Sequence, residues 1–292
     1  MIDMRTWEEI AAKSIHNRPS APGRMKGKIA VITGAAQGFG QGIAEEMHKE
    51  GAAVVIADIN LPLAQEVAAA LGARAAAVQV NVADEESVAQ MVQKTVEIFG
   101  GIDIFVNNAG IVRSGGLDVM ERDDFDLVTS VNYTAYFLCA KYASAIMKAQ
   151  HAADPDWVGD IIAINSKSGL TGSNRNFTYV GSKFGGIGLT QSFALELLPY
   201  NIKVNAVCPG NYLGGPLWSD PENGLFVQYF KAGKIPGAKS IEDVKRHYQK
   251  ISSPMGRGVF PIDVARAVFY CVEQQYETGQ AIPVTGGQIM LS

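Results

Sequence analysis

The stretch KIAVITGAAQGFG (28–40) decides the fold. Its first half is an unbroken apolar run, rich in branched residues and bounded by Gly34. A strand buried on both faces reads this way, whereas a half-exposed strand alternates. The runs AVVIAD (53–58), AAAVQVNV (75–82), IDIFVNNAG (102–110), DIIAINS (160–166) and IKVNAVCPG (202–210) repeat the pattern. Between them the apolar residues fall at helical spacing. Gln41–Glu50 is closed by Gly51, and Pro62–Leu71 by Gly72. Asp84 is placed to cap a helix reaching Phe99. Phe125–Gln150, Tyr179–Leu198 and Ile262–Glu273 read as further helices, and Gln280–Val284 as a last strand. Strands alternating with helices through short links predict an α/β fold. Right-handed crossovers make it a doubly wound parallel sheet with helices on both faces.

Uninterrupted alternation argues for one domain over 25–292. A long irregular insertion, about 211–260, is expected to cap the C-terminal edge of the sheet. Residues 1–24 stand apart. Trp7, Ile10, Ala11 and Ile15 recur at helical spacing until Pro19 and Pro22 stop the pattern. This is either a frayed arm or expression remnant, or a short helix docked on its own subunit or a neighbour.

The composition narrows the function. The chain has 292 residues, 47% hydrophobic and 18% charged, with a net charge of −4. It is too apolar for disorder, and it lacks the basic footprint of a nucleic-acid binder. Its three cysteines, Cys139, Cys208 and Cys271, show no CxxC pairing, and its four histidines are scattered, so no metal site is expected. With no apolar leader and no membrane-length apolar run, the reading is a soluble cytoplasmic protein.

The second half of the opening stretch carries chemistry. Gly34, Gly38 and Gly40 stand between a strand and a helix, with Gln37 and Phe39 among them. Such glycines allow a tight turn and let backbone amides approach a pyrophosphate. The helix N-terminus adds N–H donors and a positive dipole end. Asp58 ends the second strand, eighteen residues beyond Gly40. A carboxylate there accepts from ribose hydroxyls and repels a 2′-phosphate. No Lys or Arg lies in the glycine loop or within three residues after Asp58, so NAD is expected over NADP.

Four motifs in order resemble the short-chain dehydrogenase/reductase family: TGxxxGxG at 33–40, NNAG at 107–110, a serine at 166, and YxxxK from Tyr179 to Lys183. The resemblance covers about 26–292 and implies a Rossmann-type fold and a CH–OH dehydrogenase. Tyr179 and Lys183 share a helix face one turn apart. A free tyrosine titrates near pH ~10, and a neighbouring ammonium favours its phenolate. The resemblance implies that Tyr179 takes the alcohol proton and Ser166 orients the oxygen. Lys183 would lower the tyrosine pKa and hold the nicotinamide ribose, and Asn132 would hold a water in a proton relay. Cofactor contacts are expected from Ile59, Asn81, Val82, Asn108, Ala109, Gly110, Pro209, Gly210 and Asn211, besides the glycine loop, Asp58, Tyr179 and Lys183. Two departures from the family pattern stand out. Asn81-Val82 replaces Asp-Val, and Asn211-Tyr212-Leu213 replaces the path to a threonine that meets the nicotinamide amide.

Within the family, INSKSG (164–169), KFGGIGLTQSFALEL (183–197) and VTGGQIM (284–290) resemble the sorbitol-6-phosphate 2-dehydrogenase subfamily. A polyol or sugar phosphate resembling sorbitol 6-phosphate, oxidised at a secondary alcohol or formed from the ketone, is then the expected substrate. Residues 211–258 hold seven bases against four acids, a balance of +3, which leaves −7 for the remainder. A basic cap of this kind steers an anion, or is merely a solvated helix face. Lys167 and Arg175 are expected to grip a phosphate. Competing readings are an unphosphorylated polyol or other secondary alcohol, a 3-oxoacyl thioester reductase (which Asp58 disfavours), and a catalytically idle NAD-binding regulator. The family also implies a homotetramer built on the two long helices.

Overall fold

The computed structural model describes residues 2–250 and 253–290. Among these residues, seven parallel strands form one sheet in the order β3-β2-β1-β4-β5-β6-β7. The strands are β1 (Ile29–Thr33), β2 (Ala53–Asp58), β3 (Ala75–Gln79), β4 (Ile104–Asn107), β5 (Gly159–Ile164), β6 (Ile202–Pro209) and β7 (Ala281–Val284). β1, β4, β5 and β6 are buried along their whole length, as their unbroken apolar runs require. The order steps outward from β1 in one direction and from β4 in the other. The β1/β4 boundary is therefore the topological switch point where such sheets open a crevice.

One helical layer holds α2 (Gly38–Lys49), α3 (Leu61–Leu71) and α11 (Pro261–Glu273). The other holds α4 (Glu85–Phe99), α6 (Ala135–Ala153) and α7 (Phe177–Leu197). Asp84 caps α4 by accepting from the Ser87 amide at 2.7 Å. α5 (Arg122–Thr129) runs into α6 through a π-helical turn at Ser130–Thr134, so the expected single helix carries one widened turn. α8 (Pro216–Ser219), α9 (Leu225–Lys231) and α10 (Ile241–Lys250) fold the insertion around Trp218, Phe226, Tyr229 and Tyr248.

The N-terminal segment forms α1 (Arg5–Ser14), which packs on α6 and α4 of its own chain. Met4 and Ala11 join that core. Behind α1, the Arg18 guanidinium pairs with Asp103 at the start of β4, in a nearly dry site. Asp103 also accepts from the Trp157 indole at 2.7 Å and from the Ile29 amide at 2.8 Å.

Candidate active site

A cleft of about 550 Å³ opens along the C-terminal ends of the strands. This volume suits a dinucleotide together with part of a small substrate. One end is set by the glycine loop. α2 begins at Gly38 rather than at Gln41, so the last two loop glycines form its first turn. Helix propensity alone disfavours glycine there. Close approach decides it, because a Cβ at Gly40 would lie 2.4 Å from the Gly34 carbonyl oxygen. Gly34 and Gly38 also take positive φ, 62° and 66°.

Asp58 accepts from the Ala36 amide and from the Asn60 amide, each at 3.0 Å. It thus fastens the glycine loop to the end of β2 while keeping lone pairs toward the cleft. Ile59, Asn81 and Val82 line the same end. Asn81 differs from the simple expectation, since its side-chain carbonyl already accepts from the Ala83 amide at 3.1 Å.

The NNAG segment is stitched to β1. Asn108 donates through Nδ2 to the carbonyls of Thr33 and Gly34 at 2.9 and 3.0 Å. Thr33 Oγ1 in turn accepts from the Asn108 and Ala109 amides at 3.0 and 3.1 Å. Sequence reasoning overlooked Thr33. Its signal was a buried hydroxyl at the end of an otherwise apolar strand.

The four expected catalytic residues converge beyond this point. Lys183 Nζ donates to the Ile164 carbonyl at 3.0 Å and lies 5.6 Å from the centroid of the Tyr179 ring. Ser166 lies two residues past the end of β5, and its hydroxyl faces Tyr179. Burial pushes the Tyr179 phenol up to about 12, with the Ser166 bond opposing, and pulls the Lys183 ammonium down to about 8. Burial thus dominates at the phenol, and the Ser166 hydroxyl is the group that opposes it. Asn132 sits in the π-helical turn and is buried. It accepts from the Ile111 amide and donates to the Ile111 carbonyl, both at 2.9 Å, and donates to Ser182 at 3.2 Å. Ser182 donates to the Tyr179 carbonyl at 2.7 Å. The widened turn thus lets one amide clamp the NNAG strand extension to α7.

Asn165, where the family pattern has serine, braces the same helix. It donates to the Lys183 carbonyl at 3.0 Å and accepts from the Ser166 amide at 2.8 Å. Pro209, Gly210 and Asn211 line the cleft opposite. Asn211 Nδ2 is buried without a partner, so this site holds a donor ready for a ligand carbonyl. The Phe39 and Tyr212 rings stack at 5.1 Å and bridge the glycine loop to the insertion.

Past Tyr179 the cleft is lined by Ser168, Asn176, Trp218, Asn223, Gln228 and Tyr229. Neither Lys167 nor Arg175 lines it, nor does any base of the insertion. Lys245, Arg246 and Arg257 are engaged by Glu242, Asp243 and Asp263. Only Asp263 lies outside the counted segment, so the pairings take one unit from its +3 balance. A cation that sequence reasoning overlooked, Arg113, does reach the cleft wall, but it is held by Asp124 at 3.2 Å.

This strand order, glycine loop and Ser–Tyr–Lys cluster define a nicotinamide-dependent dehydrogenase site. The family model described as short chain dehydrogenase matches residues 28–218. The chain belongs to the short-chain dehydrogenase family, whose members are oxidoreductases acting on CH–OH groups. Within that family it is similar to sorbitol-6-phosphate 2-dehydrogenase of Escherichia coli. The two are 35% identical over 270 residues, covering 90% of this chain and 99% of the relative. The crystal structure of sorbitol-6-phosphate 2-dehydrogenase from Erwinia amylovora superposes with a TM-score of 0.80 at 37% identity, covering 90% of this chain and all of that one. A 3-ketoacyl-(acyl-carrier-protein) reductase from Brucella melitensis, complexed with NADH, superposes with a TM-score of 0.78 at 30% identity, covering 91% and 100%. No helix among the described residues is long and apolar enough to cross a membrane.

Proposed function

We propose that the chain is an NAD-dependent dehydrogenase of a polyol phosphate resembling sorbitol 6-phosphate, working in the cytoplasm. The observation that carries this reading is one continuous cleft with Asp58 at one end and Ser166, Tyr179 and Lys183 at the other. Tyr179 takes the proton from the substrate hydroxyl. Ser166 holds the reacting oxygen by a hydrogen bond. Lys183 stabilises the phenolate and holds the ribose of the cofactor, and Asn132 anchors a proton relay beside Gly110. The nicotinamide, when bound, supplies the hydride acceptor. Asn211 Nδ2 is the donor for its carboxamide oxygen, in place of the family's threonine. Substrate recognition suits a polyol: Asn176 Oδ1 is buried in the cleft wall without a donor of its own, which a substrate hydroxyl supplies.

Nicotinamide absorbance, followed over a panel of polyols and their phosphates, tests the substrate. Turnover of 3-oxoacyl thioesters alone would remove the reading. Asp58 carries the cofactor choice. Asp58→Ala is expected to lower kcat/KM for NAD by about 10–100-fold through loss of charge-assisted hydrogen bonds, and to narrow the preference over NADP. A wild-type protein that prefers NADP would sink the assignment.

The exposed Phe125, Tyr133, Phe137 and Phe184 on α5 to α7 support a homotetramer. Sedimentation of the intact protein as a monomer would refute it.

A further inference from the structure

Asn176 stands at the N-cap of α7, three residues before Tyr179. Asparagine there ordinarily turns its side-chain carbonyl back to the amides of the first turn. Asn176 makes no such bond, although its backbone carbonyl accepts from the Val180 amide at 3.0 Å and so starts the helix. Its side chain reaches toward the insertion instead, where Nδ2 donates to Tyr229 Oη at 3.4 Å. Oδ1 is left buried with no partner, in a residue 3% exposed that lines the cleft. A buried carbonyl that gives up a ready capping bond and finds no other is unfavourable until a ligand donates to it.

Tyr229, on α9, supplies the complementary half. It is 5% exposed and lines the cleft. Its ring packs against Trp218 and Tyr248, with centroids 5.6 Å away in each case, and the Lys234 ammonium lies 4.5 Å from its own centroid. Packing of this kind holds the phenol in one place. Burial keeps it protonated, well above the ordinary tyrosine range. Its oxygen accepts from Asn176, and its proton has no acceptor among the described residues. One acceptor and one donor thus stand side by side on the cleft wall. A hydroxyl satisfies both at once, whereas a carbonyl, an ether or a methylene does not. The reacting centre is close by. Residues three apart on a helix are surface neighbours, and Tyr179 packs against the cluster that contains Tyr229.

We propose that Asn176 and Tyr229 together read a second hydroxyl of the substrate, next to the one oxidised. This hydroxyl donates to Asn176 Oδ1 and accepts from Tyr229 Oη. The proposal rests on the dehydrogenase reading above and names the feature that selects its substrate, a vicinal diol. A simple secondary alcohol leaves both buried groups unpaired. A site built to bond a hydroxyl rejects the analogue without it far more strongly than an apolar pocket does. A 3-oxoacyl thioester carries methylenes on both sides of its ketone and fails for the same reason.

Asn176→Ala and Tyr229→Phe test it, assayed by nicotinamide absorbance with sorbitol 6-phosphate, sorbitol, 2,3-butanediol and 2-butanol. Wild type is expected to prefer 2,3-butanediol to 2-butanol by at least about 10-fold in kcat/KM. Each variant should lose about 10–100-fold in kcat/KM with the diol and the polyols, and at least about tenfold less with 2-butanol. Asn176→Asp, which keeps an oxygen in that place, should recover part of the loss. An equal loss with every alcohol would mark a structural role and overturn the pair, as would an unmoved preference for the diol. If sorbitol 6-phosphate is not oxidised while the diol preference holds in wild type and collapses in the variants, the polyol-phosphate reading fails and the hydroxyl pair stands. If sorbitol 6-phosphate is oxidised with unchanged kcat/KM in both variants, the pair fails and that reading stands. A wild type that oxidises 2-butanol as readily as the diol, or that oxidises none of the four, would end the pair outright.

Discussion

Tyr179→Phe is expected to lower kcat by about 10³–10⁴, within the range a positioned proton-transfer group contributes. The substitution removes one oxygen and keeps the ring. That oxygen faces the Ser166 hydroxyl, whereas the Lys183 ammonium points to the Ile164 carbonyl. On the proposed reading most of the cofactor's contacts are at the glycine loop, Asp58 and the NNAG segment. NADH affinity, read by fluorescence titration, should therefore stay within about threefold of wild type. The pairing of lost kcat with retained binding is the signature. A Tyr179→Phe enzyme keeping a tenth of wild-type kcat would show that another group does the proton transfer.

The backbone of this site was legible in the sequence wherever a single physical demand fixed the residue. Buried strands demanded unbroken apolar runs, and β1, β2, β4, β5 and β6 fall on them. Close approach demanded glycine at 34 and 40, and the contacts at those positions are too short for any side chain. What escaped was whatever depended on two distant segments meeting. The π-helical turn at Ser130–Thr134 leaves no mark in periodicity, because an extra residue in one turn shifts the pattern only slightly. Thr33 looked like part of a strand, and only the fold shows the Asn108 and Ala109 amides arriving at its hydroxyl.

Charge was the least legible quantity, for a related reason. A count over 211–258 gives +3, but a count does not know which bases find acids. Arg257 meets Asp263, which lies outside the counted segment. Lys234 meets no acid and turns inward. The two bases most exposed to interpretation, Lys167 and Arg175, part ways in the structure. Lys167 is half-buried, its ammonium pulled down to about 8 by burial. Arg175 is exposed, takes a left-handed backbone with φ of 53°, and contributes its carbonyl to the Gly115 amide. Its backbone shapes the loop before α7, and its side chain is not among those lining the cleft.

The N-terminal segment shows the same limit. Helical spacing announced α1, yet nothing in residues 1–24 announced that Arg18 would reach Asp103, eighty-five residues on. The arm covers the α4–α6 face and closes over a carboxylate that also holds Ile29 at the start of β1. Thus the segment that looked most dispensable is tied to the strand that carries the glycine loop.

Lys183→Met should lower kcat at neutral pH by about 10²–10³ and move the rising limb of the pH–rate profile to higher pH. The ammonium lies 5.6 Å from the Tyr179 ring. At an effective dielectric constant near ~20, a charge at that distance is worth about 3 kcal/mol to the phenolate, or about two pH units. Without it, the burial that already pushes Tyr179 up to about 12 has one opponent fewer, so the phenolate becomes rarer at any given pH. The sign follows: oxidation needs the phenolate, so the variant regains rate only as pH rises. Lys183 also faces the cleft, so NADH affinity should weaken together with kcat, unlike in Tyr179→Phe. A purely structural lysine would lower the rate equally at every pH. A Lys183→Met profile parallel to wild type would therefore refute the electrostatic role, whereas a displaced limb ties the phenol's reactivity to a buried charge on the next turn of the same helix.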